Sequence, residues 1–137
     1  MRCLIAEDVE FAREMMSFFL ADYAEIDSVD NGETAVELFS AAIEEGRPYN
    51  FVCLDILMPK MDGQEALKRM RQIEALHEPL AQEKSVIVMT TAMNSLEDMQ
   101  EALWRGDCTD YLVKPVMFAD LVAVMTKYGL ITKQETV

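Results

Sequence analysis

Four places in this 137-residue chain carry side chains equipped to do chemistry together: Glu7-Asp8, Asp55, Thr90-Thr91 and Lys114. Each stands at the C-terminal end of a short apolar run. Brought into one pocket, the carboxylates would repel and raise one another's pKa values. A divalent cation relieves that repulsion. Mg²⁺ suits such a set, since it takes oxygen ligands, keeps several waters and works beside phosphates. A carboxylate there can serve as a nucleophile and become an aspartyl phosphate. Metal and lysine would neutralise the charge that develops on a transferring phosphoryl group, the lysine as a compact point charge. The bland reading, an acidic loop edge with an unrelated lysine, explains one such residue but not four complementary strand ends.

Whether these residues meet depends on the elements between them. Five short apolar runs, Cys3–Ala6, Ile26–Val29, Phe51–Leu54, Val86–Thr90 and Tyr111–Val113, alternate with five amphipathic stretches. The second run is interrupted by polar residues and reads as an edge strand; the others are near-continuous, as in strands covered on both faces. Apolar stripes at helical spacing lie between them: Phe11, Ala12, Met15, Met16, Phe19 and Leu20; then Ala35, Leu38, Phe39, Ala42 and Ile43, after an Asn31-Gly32 turn. The third stretch, about Gly63 to His77, turns Ala66, Leu67, Met70, Ile73 and Leu76 inward. The fourth starts near Asn94 with Leu96, Met99 and Leu103, and the fifth carries Phe118, Leu121, Val122 and Met125. Alternating strands and helices imply βαβ units and a parallel sheet with helices on both faces. The strand ends then share one edge, where ligands bind in the crevice at which strand order reverses.

Composition removes several classes of function. Hydrophobic residues at 51% and charged residues at 27% exclude a disordered chain, and no apolar run approaches the ~20 residues of a membrane span. Two acids break the N-terminal apolar stretch, which is therefore no signal peptide. A net charge of −13 opposes binding to nucleic acid and anionic membranes and favours cations and basic surfaces. Cys3, Cys53 and Cys108 fit no zinc spacing, and their odd number points to free thiols in a reducing cytoplasm. The lone His77 reads as a surface residue. The eleven methionines fall mostly on the helical stripes and read as core filler.

Four segments carry a family resemblance: Glu7-Asp8 after a strand, Leu54-Asp55-Ile56-Leu57-Met58-Pro59-Lys60-Met61-Asp62-Gly63, Met89-Thr90-Thr91-Ala92, and Asp110-Tyr111-Leu112-Val113-Lys114-Pro115. Over roughly Arg2 to Lys127 the chain resembles a response-regulator receiver domain, of the stand-alone kind similar to the chemotaxis regulator. The resemblance implies a flavodoxin-like, doubly wound sheet of order 2-1-3-4-5, with a receiver domain over 1–128 and a short polar tail over 129–137. It implies Asp55 as phosphoacceptor and Mg²⁺ held by Asp8, Asp55 and the Leu57 backbone carbonyl, with Glu7 acting mostly through water. Thr91 resembles the switch hydroxyl, with Ala92 setting the register against Thr90. Tyr111 resembles the switch aromatic and Lys114 the phosphate-binding lysine, and Lys114-Pro115 looks like the family's cis peptide bond. Pro59 and Gly63 would shape the loop after the acceptor strand, one with a fixed and one with a permissive φ. The chain departs from the family pattern at Asp107-Cys108, where Gly-Ala is frequent, and at Val116, where an aromatic is common.

The function so implied is a phosphorylation-dependent switch in a two-component phosphorelay, in the cytoplasm. A sensor histidine kinase or phosphotransfer protein would donate to Asp55. With no output domain following, a downstream protein partner would read the surface bearing Tyr111 and Trp104. The chain would not be an enzyme, beyond assisting its own phosphorylation and dephosphorylation. Two alternatives stand beside this reading. An aspartate-nucleophile phosphatase usually wants a second acid two residues after the nucleophile, where this chain has Leu57. A degenerate receiver used only for docking would have no need of the full acceptor set.

Overall fold

The computed structural model describes residues 1–77, 84–92, 97 and 108–132. The chain runs β1 (Arg2–Ala6), α1 (Glu10–Leu20), β2 (Glu25–Val29), α2 (Gly32–Glu44), β3 (Phe51–Asp55), α3 (Gly63–Leu76), β4 (Val86–Thr91), β5 (Asp110–Val113) and α4 (Phe118–Lys127). The five strands form one sheet in the order β2-β1-β3-β4-β5, and every pairing is parallel. The polar-interrupted β2 is an edge, as its sequence requires. Each strand extends one residue beyond the apolar run that marks it, because polar Arg2, Glu25, Asp55, Thr91 and Asp110 also join the ladder. The fourth amphipathic stretch, with Asn94, Leu96, Met99, Leu103, Trp104 and Asp107, lies almost wholly outside the described residues, as does most of the 78–84 loop.

Alternation along the strands builds two cores. Leu4, Val52, Leu54, Ile87 and Met89 pack with Ala35, Phe39, Leu67 and Met70 of α2 and α3 on one face. Cys3, Ile5, Phe51, Cys53 and Val88 pack with Met16, Leu20, Leu121 and Met125 of α1 and α4 on the other. Burying each large apolar side chain stabilises the fold by about 1.5–3 kcal/mol. Leu130 and Ile131, placed in the tail by the sequence reading, pack against this second core.

Three helical assignments need correction. Leu76 is 80% exposed, and Glu74 takes the buried place near the end of α3 at 4%. Its carboxylate accepts the Ser85 N–H at 2.8 Å and pairs with Arg71 at 2.7 Å, so a charged residue is satisfied where an apolar one was expected. Phe11, at 73%, and Phe118, at 43%, lie outside the core. Each sits at the first turn of its helix, at the margin of the packed layer, where the Phe118 ring meets Phe19 and Tyr23. His77 ends α3, its ring Nδ1 2.9 Å from the Ile73 carbonyl.

The helix starts are set locally. Asn31 caps α2 by accepting the Thr34 N–H, and Asp62 caps α3 by accepting the Glu65 N–H, each at 2.9 Å. The loop between β3 and α3 does not use Gly63 for a permissive φ. Its left-handed residue is Lys60, at φ 66°. Gly63 is instead needed for close approach: a Cβ there would overlap the Asp55 carbonyl oxygen, just as one on Gly32 would overlap that of Met61. The Asn31-Gly32 pair therefore starts α2 and lets its N-terminus press on the loop after β3.

Candidate functional site

The C-terminal ends of β1, β3, β4 and β5 carry the chemical groups to one edge of the sheet. Asp55 is the last residue of β3 and is 4% exposed. Glu7 follows β1 directly and is 1% exposed, whereas Asp8 is exposed. Lys114 follows β5, and its N–H donates to the Thr91 carbonyl at 2.7 Å, which ties the lysine to the end of β4. The Lys114–Pro115 bond is cis, as the resemblance implied. A cavity of about 250 Å³ opens here, walled by Asp8, Asp55, Ile56, Leu57, Thr91, Ala92 and Lys114.

Lys114 bridges the two buried acids. Its Nζ lies 2.8 Å from Glu7 Oε1 and 3.0 Å from Asp55 Oδ2. The other Asp55 oxygen faces the Leu57 N–H at 3.4 Å. Burial, and then the neighbouring Glu7 carboxylate, push the Asp55 carboxyl up to about 7, although Lys114 pulls it down. Burial would raise Glu7 too, but hydrogen bonds with Asp55 and Lys114 outweigh it and hold Glu7 below its ordinary value. Lys114 is disfavoured as a cation by burial, yet its two acidic partners raise it above the usual lysine value. The pocket thus holds a fixed ammonium and a carboxylate whose negative charge is costly.

The donor set fits a hard cation. One carboxylate oxygen each from Glu7, Asp8 and Asp55 lie within 4.8 Å of one another, and all three are oxygen ligands. One bound cation would offset the repulsion that raises Asp55.

The site therefore gathers Glu7, Asp8, Asp55, Leu57, Thr91 and Lys114. Thr91, not Thr90, lines the cavity. Thr90 is buried in the ladder opposite Asp55, and its carbonyl accepts the Ile56 N–H at 3.1 Å. Tyr111 does not wall the cavity; it pairs with Met89 across the sheet and packs half-buried against the first core. Trp104 lies outside the described residues.

The sequence reading missed a groove beside the pocket. Val9, Phe11, Met15, Phe19, Val116 and Met117 line about 560 Å³ of apolar space that reaches Glu7 and Lys114. Phe11 and Phe18 stand two turns apart on α1, both more than 70% exposed. That spacing was visible, but only the packed helix shows which of its phenylalanines face outward.

The sequence model of the response regulator receiver domain matches residues 3–126. The chain belongs to this family. As a receiver domain it is a component of two-component signalling. It is 34% identical over 116 residues to the chemotaxis protein CheY of Bacillus subtilis, covering 83% of this chain and 85% of that one. It is 32% identical over 127 residues to the regulatory protein AtoC of Escherichia coli, covering 92% of this receiver domain but only 24% of the longer relative. The fold matches a chain in the co-crystal structure of the Saccharomyces cerevisiae histidine phosphotransfer protein Ypd1 and the receiver domain of its downstream response regulator Ssk1. The TM-score there is 0.81 at 30% identity, covering 94% of this chain and 88% of that one. Sheet order and parentage agree with the flavodoxin-like topology expected.

Proposed function

We propose that this receiver domain is a phosphorylation switch that accepts a phosphoryl group on Asp55 from a histidine-bearing donor. The observation that carries the reading is the buried Asp55 carboxylate, held 3.0 Å from the Lys114 ammonium beside Glu7 and at the wall of an open cavity. In the transfer, an Asp55 oxygen forms a bond to phosphorus as the bond between phosphorus and the donor imidazole nitrogen breaks. The nitrogen leaves with the electron pair, and the product is an acyl phosphate. Asp8, Asp55 and the Leu57 backbone carbonyl would hold Mg²⁺, with Glu7 acting through water, and the bound ion would supply Lewis-acid stabilisation of the phosphoryl oxygens. Lys114 binds a phosphoryl oxygen as a point charge. The Thr91 hydroxyl, which donates to the Ala92 carbonyl at 3.2 Å, is free to rotate toward the phosphoryl group. Tyr111 shifts with it and carries the change to the surface a partner reads.

The donor docks in the apolar groove of α1, which is continuous with the pocket through Glu7 and Lys114. The Ypd1–Ssk1 complex, a phosphotransfer protein with a receiver domain, supports a donor of that class. The output partner is a protein, because a charge of −13 opposes nucleic acid and anionic membranes. No helix among the described residues is long and apolar enough to cross a membrane, and the free thiols favour the cytoplasm. The chain turns over no separate substrate; it assists only its own phosphorylation and dephosphorylation.

Incubation with Mg²⁺ and acetyl phosphate tests the reading. Intact mass should rise by one phosphoryl group in the wild-type chain and stay unchanged in Asp55→Asn. Undiminished labelling of that variant would overturn the assignment.

A further inference from the structure

Glu7 is where β1 hands over to α1, and both of its backbone groups are held. Its N–H donates to the Val29 carbonyl at 3.0 Å, extending the β1–β2 ladder by one bond. Its carbonyl accepts from Arg13 Nη1 at 2.8 Å. The Glu7 carbonyl and the Asp8 N–H belong to one rigid peptide plane. The Arg13 bond therefore also helps fix the peptide plane from which the Asp8 Cα and its side chain depart. Asp8 has no comparable tie of its own: it is exposed, and its carboxylate makes no hydrogen bond or ion pair with a described residue. On the C-terminal side of Asp8 the hold is longer-range: Val9 makes no side-chain cap, its N–H donates to Glu7 Oε2 only at 3.4 Å, and its carbonyl accepts the Arg13 N–H at 2.9 Å. The arrangement that brings Asp8 within 4.8 Å of the Glu7 and Asp55 oxygens thus draws its shortest side-chain tie from the guanidinium of Arg13, in the first turn of α1.

We infer that Arg13 is a positioning residue of the acidic pocket, one that orients the Glu7–Asp8 peptide so that Asp8 faces Mg²⁺. The inference rests on the reading of the pocket as a Mg²⁺-assisted phosphoacceptor. The guanidinium is permanently charged and half-buried, and its planar fork suits a fixed carbonyl. Arg13 touches neither metal nor phosphoryl group in this scheme; it acts through the peptide plane.

The sign of one measurement separates this role from a general electrostatic one. A cation near an acidic metal site repels the metal, so its removal by charge alone would tighten Mg²⁺ binding. Loss of positioning weakens it instead. Calorimetric titration of the full chain with Mg²⁺ should show Arg13→Gln binding about 10-fold more weakly, the lower end of what supporting residues around metal ligands typically contribute. Arg13→Lys, which keeps the charge but not the fork, should fall between. Labelling by acetyl phosphate should slow at limiting Mg²⁺ and recover at saturating Mg²⁺. Affinity equal to or tighter than wild type in Arg13→Gln overturns the inference, including where its melting temperature drops. If that variant does not fold, unchanged affinity in Arg13→Lys does the same. A wild-type chain that binds no Mg²⁺ would remove the reading of the pocket itself, and the inference with it.

Discussion

Gly63 presses its bare Cα against the end of β3: a Cβ built on it would overlap the Asp55 carbonyl oxygen and come within 2.9 Å of the carbonyl carbon. The Gly63 N–H also donates to the Ile56 carbonyl at 2.7 Å, so α3 begins directly on the strand that ends in the acceptor. Backbone, unlike a flexible side chain, cannot swing away. Gly63→Ala should therefore lift the start of α3 from β3 and cost about 1–3 kcal/mol, as overpacking does. Urea unfolding measures the loss, and labelling of Asp55 should fall alongside it. Wild-type stability and labelling in this variant would show that the start of α3 can yield to an added methyl group.

Asp55 should weaken the fold that positions it. Burial and the Glu7 carboxylate push its carboxyl up to about 7, so ionisation above that pH penalises the folded state more than the unfolded one. Replacing the carboxylate by a neutral amide removes the penalty. In metal-free buffer at pH 8, Asp55→Asn should gain about 1–2 kcal/mol in chemical unfolding, a figure reduced for solvent screening at the cavity mouth. Saturating Mg²⁺ should narrow the gap by stabilising the wild type. A destabilised Asp55→Asn would mean that the bond to Lys114 outweighs the repulsion.

Glu74 holds the far end of the sheet together. It accepts the Ser85 N–H at 2.8 Å and pairs with Arg71, which donates in turn to the Ser85 carbonyl at 3.0 Å and to Thr109 Oγ1 at 3.2 Å. α3 is thereby bound to the approaches of both β4 and β5. Glu74→Ala removes the counter-charge and one buried acceptor, and should cost about 3–5 kcal/mol. The double variant with Arg71→Met should lose less than the sum of the singles, since the two act as one unit. Additive losses in denaturant unfolding would argue against that coupling.

Asp110 gives the stability a pH dependence away from the pocket. Burial would raise its carboxyl, but the Tyr128 hydroxyl at 2.8 Å, the Tyr111 N–H at 2.8 Å and Lys127 at 3.2 Å outweigh it and hold it below its ordinary value. A depressed carboxyl stabilises the fold above its unfolded pKa, and that contribution is lost as pH falls through the folded value. The difference in melting temperature between wild type and Asp110→Asn should stay constant from neutral pH down to about 5 and shrink below about 4. A difference that grows on acidification would reverse the sign assigned to Asp110.

The sequence by itself determined the sheet, its parallel sense and the convergence of the reactive groups. Near-continuous runs such as Phe51–Leu54, too short for a helix and alternating with helical stripes, read as strands covered on both faces. Glu7, Asp8, Asp55, Thr91 and Lys114 each stand at a strand end, so parallel pairing brings residues distant in the chain to one edge. Tertiary structure decided what periodicity does not encode. A stripe marks the direction of a helix face but not where the opposing layer stops, which is why Leu76 and Phe11 lie exposed. Hydrophobicity misplaces a buried charge such as Glu74, because its burial depends on Arg71 and the Ser85 amide arriving from another element. Gly63 looks like a turn residue until the strand beneath it is in place, since the atom it must avoid belongs to Asp55. The bond from Arg13 to the Glu7 carbonyl arises in the same way: only once α1 is folded back on the end of β1 does the guanidinium meet the peptide it holds.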